Sequence, residues 1–352
     1  MHKLMYNFMF IGITVIFLSF VPNQNANALE DEIGDIEVLS IYSSKKEESM
    51  RKIFDKFTKE TDIQIKLLVD DAPKLIERLE KEGRFTFADI FIASDVRTLE
   101  IAKEKGLIRD IYSSKLNRNI PENMSDEDGK WYGLSKRARV IFYAKDKVKP
   151  EELSTYEDLA NPKWGGKILI SSSKDIYNKS LLASLIKANG KDAAEKWARG
   201  LVSNFARNPQ GSDIDQLRAL ANGKGDIAIA NGSYYLKLLT SDNKEDRKLA
   251  EKIGIFFPNQ DKRGAHINIS GGGIVTHSLN IKNAIKLLDF LAHEESQEFY
   301  VSKNYEFPVV DDIAMPSALK KWKNFKMDEA NISEFSKYIP DAEIIAKETG
   351  WN

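Results

Sequence analysis

The sequence predicts an α/β protein whose largely parallel sheet is covered by helices on both faces. Strand-like runs alternate with amphipathic helical runs along the chain, and short connections join them. Several of the strand-like runs are apolar throughout, which is typical of strands buried on both faces. The length of 352 residues allows two ordinary domains, and a content of 42% hydrophobic and 30% charged residues is that of a globular protein.

The first half of the chain alternates strands and helices. Its first helix is predicted from the apolar residues Met50, Ile53, Phe54 and Phe57, which share one helical face. The other predicted elements of this half are strands at 36–42, 63–69 and 88–93 and a helix at 74–82.

A long strand-like run at 131–145 contains two arginines, Arg137 and Arg139. Because strand side chains alternate between faces, both arginines lie on the same face. We interpret this run as a passage between two domains, because a new pattern of strands and helices begins after it. That second pattern comprises strands at 167–170 and 226–230, a helix with Leu181, Leu182, Leu185 and Ile186, and a helix at 213–220.

Two adjacent tyrosines, Tyr234 and Tyr235, follow the apolar strand 226–230. We predict a turn at Asn231-Gly232 and a helix that Ser233 caps at its N-terminus. Both phenols then lie at the carboxyl end of a strand, where open α/β sheets bind ligands. The alternative is a pair of half-buried core aromatics.

The N-terminus has the layout of a cleavable secretory signal. Lys3 precedes an apolar run at 8–21, and the small-residue site Ala26-Asn27-Ala28 follows it. The run is too short for a comfortable membrane span. We therefore predict an exported, soluble protein that begins near Leu29.

Composition excludes several classes of function. The chain has no cysteine, which removes disulfides and thiolate chemistry and leaves oxygen and nitrogen as metal ligands. A formal net charge of −1 gives no support for a nucleic-acid partner. His266, His277 and His293 lack metal-binding spacing and are interpreted as structural. The run Gly271–Gly273 lacks a phosphate-loop lysine, and close packing or a tight turn is the expected reason for it.

An ordered series of short motifs runs through nearly all of the predicted mature chain. The motifs are Ile41–Ser44, 88–91, Lys136–Arg139, Tyr177, Asn208–Asp213, Asn231–Tyr235, Phe257–Gly264 and His266–Gly271. Together they resemble the ferric-iron substrate-binding proteins of bacterial ABC transporters, in their tyrosine-rich branch. Each motif alone is weak, and the ordered set is specific.

The resemblance implies a two-lobed periplasmic-binding-protein fold of class II type, in which crossover strands join the lobes and the ligand cleft lies between them. On this basis we expect a signal peptide at 1–28, an N-terminal lobe of 29–135 and 262–312, and a C-terminal lobe of 136–261 and 313–352. It also implies Fe(III) as the transported ligand, with carbonate or citrate as a synergistic anion. The expected partner is an ABC permease in the inner membrane, and a periplasmic monomer with no catalytic task is expected.

Tyr177, Tyr234 and Tyr235 match the liganding tyrosines of that family. Ferric ion is a hard acid that prefers anionic oxygen donors, so phenolates suit it. A phenol with an ordinary pKa of about 10 must lose its proton to bind, and affinity is therefore expected to fall in acid.

The chain departs from the family pattern after Tyr42-Ser43-Ser44. Related proteins carry Arg-His-Tyr there, whereas this chain has Lys45-Lys46-Glu47. Glu47 is a candidate carboxylate ligand in the slot of the tyrosine, and a solvated residue in a charged turn is the alternative. Lys46 is a candidate for holding an anion or, alternatively, a surface lysine.

The resemblance places one of the two arginines beside the site, where a positive charge would stabilise a phenolate or an anion. We favour Arg139 over Arg137, and a structural ion pair is the alternative for either.

The predicted function is that of an extracytoplasmic solute-binding protein that captures ferric iron for an ABC-type importer. A second hypothesis is a receptor for a phosphonate or phosphate ester that uses Arg139, Lys46 and the serines Ser171–Ser173. A third is an exported iron-dependent enzyme, which the lack of a recognisable set of two histidines and one carboxylate disfavours.

Overall fold

The computed structural model describes residues 37–320 and 322–352, so the predicted signal peptide at 1–28 lies outside the described residues. Val38–Asn352 form one compact unit. Among the described residues, no helix combines the length and apolarity needed to cross a bilayer.

The described part of the chain contains nine strands. The first five are β1 Val38–Ser43, β2 Gln64–Val69, β3 Ile90–Ala93, β4 Ile108–Arg109 and β5 Tyr132–Ala144. The others are β6 Ile168–Leu169, β7 Ile227–Asn231, β8 Ile253–Phe256 and β9 Ile267–Val275. Six of these strands, β1, β2, β3, β5, β6 and β7, were predicted from the sequence, and their ends agree with the predicted ones to within two residues.

The α-helices that precede β7 are α1 Arg51–Thr61, α2 Ala72–Glu82, α3 Val96–Glu104, α4 Ser114–Asn119, α5 Ile176–Asn189, α6 Lys191–Ser203 and α7 Asp213–Ala221. Those that follow it are α8 Gly232–Leu239, α9 Lys244–Glu251, α10 Ile281–Leu291, α11 Glu294–Phe299, α12 Ser317–Lys320 and α13 Ile339–Thr349. A π-helical turn, Tyr300–Asn304, follows α11 directly.

The strands join in the order β2-β1-β3-β9-β5-β7-β6, with β4 paired to β9 and β8 paired to β5. The predicted α/β class is thus confirmed, but the sheet is mixed. The pairs β1–β2, β1–β3 and β6–β7 are parallel, whereas β9 runs antiparallel to both β3 and β5. Each antiparallel pair of the described sheet includes one of the two long strands, β5 or β9.

Strand β5 belongs to both halves of this sheet. Its first part, up to Ala138, pairs with β9, and its second part, from Arg139 onward, pairs with β7. The sequence prediction of a passage at 131–145 therefore corresponds to a single strand that is buried along nearly its whole length.

The triple glycine Gly271–Gly273 lies inside β9 and not in a turn. A Cβ atom at Gly271 would lie 2.7 Å from the carbonyl oxygen of Tyr132 on β5. Close backbone packing between the two long strands is therefore the physical reason for this glycine. Of the two reasons expected from the sequence, close packing applies and a tight turn does not.

Candidate metal centre

Two pairs of strands direct their carboxyl ends toward one cleft. In the first half of the sheet, β1 is followed by Ser44 and β3 by Ser94, and these two hydroxyl oxygens lie 3.4 Å apart. In the second half, the parallel neighbours β6 and β7 lead into α5 and α8. The cleft has a volume of about 390 Å³ and is lined by Ser44, Lys45, Lys46, Glu48, Ser49, Ser94, Arg137, Tyr177, Ser233, Tyr234, Lys237, Lys303, Asn304 and Glu306.

Tyr177 enters the cleft from the first turn of α5. The helix begins where it does because the Asp175 carboxylate accepts a hydrogen bond from the Tyr177 backbone N–H at 2.9 Å. The guanidinium carbon of Arg137 lies 5.3 Å from the centroid of the Tyr177 ring. Burial raises the pKa of Tyr177, and the nearby Arg137 opposes this shift without cancelling it. The phenol is therefore neutral when nothing is bound.

Tyr234 enters the cleft from the first turn of α8. This helix begins at Gly232 with Asn231 at the N-cap position, so Ser233 lies inside the helix and lines the cleft instead of capping it. Tyr234 is half-buried, and burial raises its pKa as well.

Tyr235 lies outside the cleft lining. Its ring is 6% exposed and packs against Phe142 and Trp322, with centroid separations of 5.6 Å and 6.0 Å. Neighbouring side chains on a helix diverge by about 100°, so the helix that brings Tyr234 to the cleft turns Tyr235 into the core.

A buried ionic cluster of Lys45, Glu306, Ser135 and Arg137 forms one wall of the site. The Lys45 ammonium donates to Glu306 at 2.6 Å and to the Ser135 hydroxyl at 3.1 Å. Arg137 donates to the other carboxylate oxygen of Glu306 at 3.2 Å and to Ser270 at 2.7 Å. Burial alone would raise the pKa of Glu306, but Lys45 and Arg137 outweigh it and lower that pKa to about 2. Glu306 is thus held as a carboxylate whose charge is already neutralised.

Arg139, which the sequence analysis favoured beside the site, lies away from the lining. Its guanidinium donates to the buried carboxylate of Asp213 at 2.5 Å and to Asn178 at 2.6 Å. The alternative of a structural ion pair therefore describes Arg139, and Arg137 is the arginine that reaches the cleft. Strand alternation places both arginines on one face, but it does not distinguish their different depths in the protein.

Glu47 also lies outside the lining. It begins a short 3₁₀ turn after β1, is exposed, and forms an ion pair with Arg51 four residues later. Its neighbour Lys46 is exposed and lines the cleft, as does Lys237 on α8, whose ammonium lies 5.5 Å from the centroid of the Tyr234 ring.

The histidines and carboxylates offer no rival metal site within residues 37–320 and 322–352, where no group of three or more histidine, cysteine, aspartate or glutamate side chains is arranged to hold an ion. His266 is buried, and its Nε2 atom lies 2.9 Å from the Ser180 hydroxyl. Burial lowers the pKa of His266 well below the ordinary value. The phenols of Tyr177 and Tyr234 are therefore the strongest metal donors that face the cleft.

Sequence analysis missed several cleft residues, among them Glu306, Lys237 and Ser94. Lys237 was detectable, because it lies three residues after Tyr234 on a predicted helix and therefore on the same face. Glu306 directly precedes the apolar run that begins at Phe307, and no local pattern indicates that its carboxylate is buried. Its partner Lys45 is far away in the sequence, so the pairing itself required the fold.

Comparisons with known proteins agree with this geometry. The sequence profile of a family described as bacterial extracellular solute-binding protein matches residues 85–333. Iron uptake protein A1 of a Synechocystis species is 41% identical over 323 residues, which cover 92% of this chain and 90% of that protein. These matches confirm the resemblance to ferric-iron substrate-binding proteins.

Two solved structures are closely similar in three dimensions. A Trichodesmium protein called FutA or IdiA, solved in complex with iron and citrate ligands, has a TM-score of 0.86 and 46% identity, and the alignment covers 90% of this chain and 100% of that one. A ferric binding protein from Campylobacter jejuni has a TM-score of 0.85 and 37% identity, with 89% and 100% covered. The predicted two-lobed periplasmic-binding-protein fold is thereby confirmed.

Proposed function

We propose that this chain, which belongs to the family of bacterial extracellular solute-binding proteins, captures ferric iron outside the cytoplasm for an ABC-type importer. The observation that carries the proposal is the pair of phenols, Tyr177 and Tyr234, that face one cleft from the helices following the neighbouring strands β6 and β7. Hard oxygen donors of this kind select a hard, highly charged cation. The relatives in the comparisons are named for iron uptake and ferric iron binding, which supports the same cargo.

The proposed ligands are Tyr177 and Tyr234, with Arg137 beside them. The positive charge of Arg137 would stabilise the phenolate form of Tyr177, because the guanidinium carbon lies 5.3 Å from the centroid of the Tyr177 ring. Tyr235 and Glu47, which the family resemblance suggested, are not in our ligand set, because Tyr235 is packed in the core and Glu47 pairs with Arg51. Arg139 serves in this proposal to join strand β5 to helices α5 and α7, through Asn178 and Asp213.

The lobes of the proposed binding protein are 29–135 with 262–312 and 136–261 with 313–352. The change of partner along β5 between Ala138 and Arg139 supports a boundary close to this position. We further propose that a signal peptide at 1–28 is removed on export to the periplasm. The mature protein would act there as a monomer, present iron to a permease in the inner membrane and catalyse no reaction.

Metal analysis tests the iron proposal directly. Protein purified without chelators and then exposed to ferric citrate is expected to retain about one iron per chain and to show a visible phenolate-to-iron absorption band. The variant Tyr177→Phe with Tyr234→Phe keeps both rings and removes both donors, so it is expected to lose the band. Retention of the band and of the iron in that double variant would exclude the proposed site.

A receptor for a phosphonate or a phosphate ester is the second candidate. It is favoured by the five cationic side chains in the cleft lining, namely Lys45, Lys46, Arg137, Lys237 and Lys303. Arg139 is not among them, which leaves Lys46 as the one lining residue of the original anion hypothesis. Equally tight binding of an organic phosphate by metal-free protein and by the double tyrosine variant would favour this candidate over iron.

A further inference from the structure

The loop Ser171–Asp175 leads into α5 and therefore helps to set the position of Tyr177, the second residue of that helix. Strand β6, which precedes the loop, has only two residues, so the sheet alone holds this part of the chain weakly. A metal ligand has to stay within about 0.5 Å of its productive position. The contacts that fix this loop are therefore important for iron binding.

Asn178 holds the first part of the loop. Its buried amide nitrogen donates to the carbonyl oxygens of Ser171 and Ser172, both at 3.0 Å, and lies 2.9 Å from the Ser171 hydroxyl. The amide oxygen of Asn178 accepts a hydrogen bond from Arg139 on β5 at 2.6 Å. The start of α5 is thus tied to the sheet, but Asn178 makes no such contact with Ser173.

Trp351, which is far away in the sequence, holds the same loop at two points. Its indole Nε1 donates to the carbonyl oxygen of Ser171 at 3.1 Å. Its own carbonyl oxygen accepts a hydrogen bond from the Ser173 hydroxyl. The serines that the anion hypothesis placed in a binding site are absent from the cleft lining. At Ser171 and Ser173 the structure shows instead an attachment of the loop to Trp351.

Trp351 is itself firmly placed. Its side chain is 1% exposed, and its ring packs edge-on against Trp197 and Phe205, with both centroid separations at 6.2 Å. Gly350 ends α13 in the left-handed conformation, with φ at +79°, and lets the Trp351 amide donate to the Ala346 carbonyl at 2.9 Å. Trp351 is absent from the cleft lining, so any effect it has on the cargo is indirect.

We infer that Trp351 is a positioning residue for iron capture, which acts through the loop Ser171–Asp175 to keep Tyr177 where it can share one ion with Tyr234. This inference rests on the proposed function, because it requires Tyr177 as an iron ligand. Without its contacts to Trp351 the loop samples additional conformations. Iron binding must then order the loop again, and the free energy spent on that ordering lowers the affinity.

The test begins with Trp351→Phe, which keeps an aromatic ring and removes the indole N–H. Iron binding, measured by competition with citrate, is expected to weaken by roughly fivefold, the usual effect of losing one neutral hydrogen bond. The phenolate-to-iron absorbance per bound iron is expected to lie between the values of the parent and of Tyr177→Phe. Trp164→Phe is the matched control, because Trp164 is 2% exposed and its indole donates to Asp158 at 3.2 Å. Both readouts are expected to stay at the parent values in the control.

A double-mutant cycle distinguishes positioning of Tyr177 from general support of the fold. In a Tyr177→Phe background the ligand that Trp351 positions is absent, so Trp351→Phe is expected to change iron affinity by less than about twofold. In a Tyr234→Phe background Tyr177 is still present, and the roughly fivefold loss is expected to persist.

The outcomes separate the inference from the proposed function. Equal losses in the two backgrounds, or unchanged affinity of Trp351→Phe itself, would overturn the positioning role and leave iron capture intact. A Tyr177→Phe variant with the affinity and absorbance of the parent would overturn the proposed function. If circular dichroism shows that Trp351→Phe is unfolded, Ser173→Ala, which removes the other bond to Trp351, decides the question in the same cycle with the same expectations.

Discussion

The pH dependence of iron binding counts the phenols that ionise, and the structure predicts that this number is two. Ionising a phenol with a pKa of about 10 at pH 7 costs about 4 kcal/mol, and burial raises the pKa of Tyr177 and Tyr234 further. Both phenols are therefore protonated in the empty cleft, and both must release a proton when they bind iron. Since protons compete with the metal, affinity falls as the pH is lowered.

Each phenol that ionises on binding adds about one unit to the slope of log affinity against pH. Tyr177→Phe and Tyr234→Phe are each expected to reduce the slope by about one unit relative to the parent protein between pH 5.5 and 8, because this whole range lies about two units or more below the ordinary phenol pKa of about 10. Tyr235→Phe is the matched control, because it removes the same hydroxyl group from a ring that packs on Phe142 and Trp322. Its slope is expected to equal that of the parent.

The measurement is competition for ferric iron against citrate, followed by absorbance at each pH. Protonation of citrate contributes to every slope, but it cancels in the difference between parent and variant. The reasoning fails if Tyr235→Phe lowers the slope by a full unit, or if Tyr177→Phe leaves it unchanged. Either result would mean that a different set of tyrosines binds the metal.

Three further predictions concern the scaffold around the cleft. Asp213→Asn leaves buried Arg139 without its carboxylate and is expected to lower the free energy of unfolding by about 3–5 kcal/mol in denaturant titration. The control Asp226→Asn breaks an exposed pair with Lys147 and is expected to lower it by at most about 1 kcal/mol. Similar losses for both variants would contradict the structural role of Arg139. The pKa of Glu306 is lowered from an ordinary 4.5 to about 2, so its stabilising contribution of about 3 kcal/mol is complete above pH 4.5 and is lost as the pH falls from there toward 2. Glu306→Gln should flatten this part of the acid unfolding profile. An unchanged profile would refute the assignment of Glu306 as a paired, ionised carboxylate. Small-angle scattering should show a smaller radius of gyration after loading with ferric citrate, because donors and cations from both halves of the sheet surround the cargo; identical curves would argue against lobe closure.

Much of the scaffold was accessible from sequence, because apolar strands and amphipathic helices follow simple periodicities. Helix α1 has Ile53, Phe54 and Phe57 buried as expected, and Tyr234 was correctly located just beyond the carboxyl end of a strand. The facing of individual side chains was harder to predict. Helix α8 begins at Gly232, two residues earlier than predicted, and Ser233 and Tyr234 line the cleft whereas Tyr235 is buried in the core.

Other features of the site depend on contacts that no local pattern encodes. The wall formed by Lys45, Ser135 and Glu306 joins three distant parts of the chain. The mixed character of the sheet has the same origin, since β9 returns from the second half to pair with β3 and β5. By contrast, the ion pair of Glu47 with Arg51 has the spacing of a local helical pair and was available as a reason to doubt Glu47 as a ligand.

The return of β9 also affects when the protein can fold. Residue Ile90 in the first half pairs with Ile274, and Phe91 pairs with Gly273, so the central part of that half is completed only after most of the chain has been synthesised. Contacts between residues so distant in sequence slow folding, because the loop between them must close first. In the proposed export across a membrane, such a delay would keep the polypeptide unfolded, and thus competent for translocation, for longer. The same pairing that places Ser94 beside the cleft would thus postpone premature folding on the wrong side of the membrane.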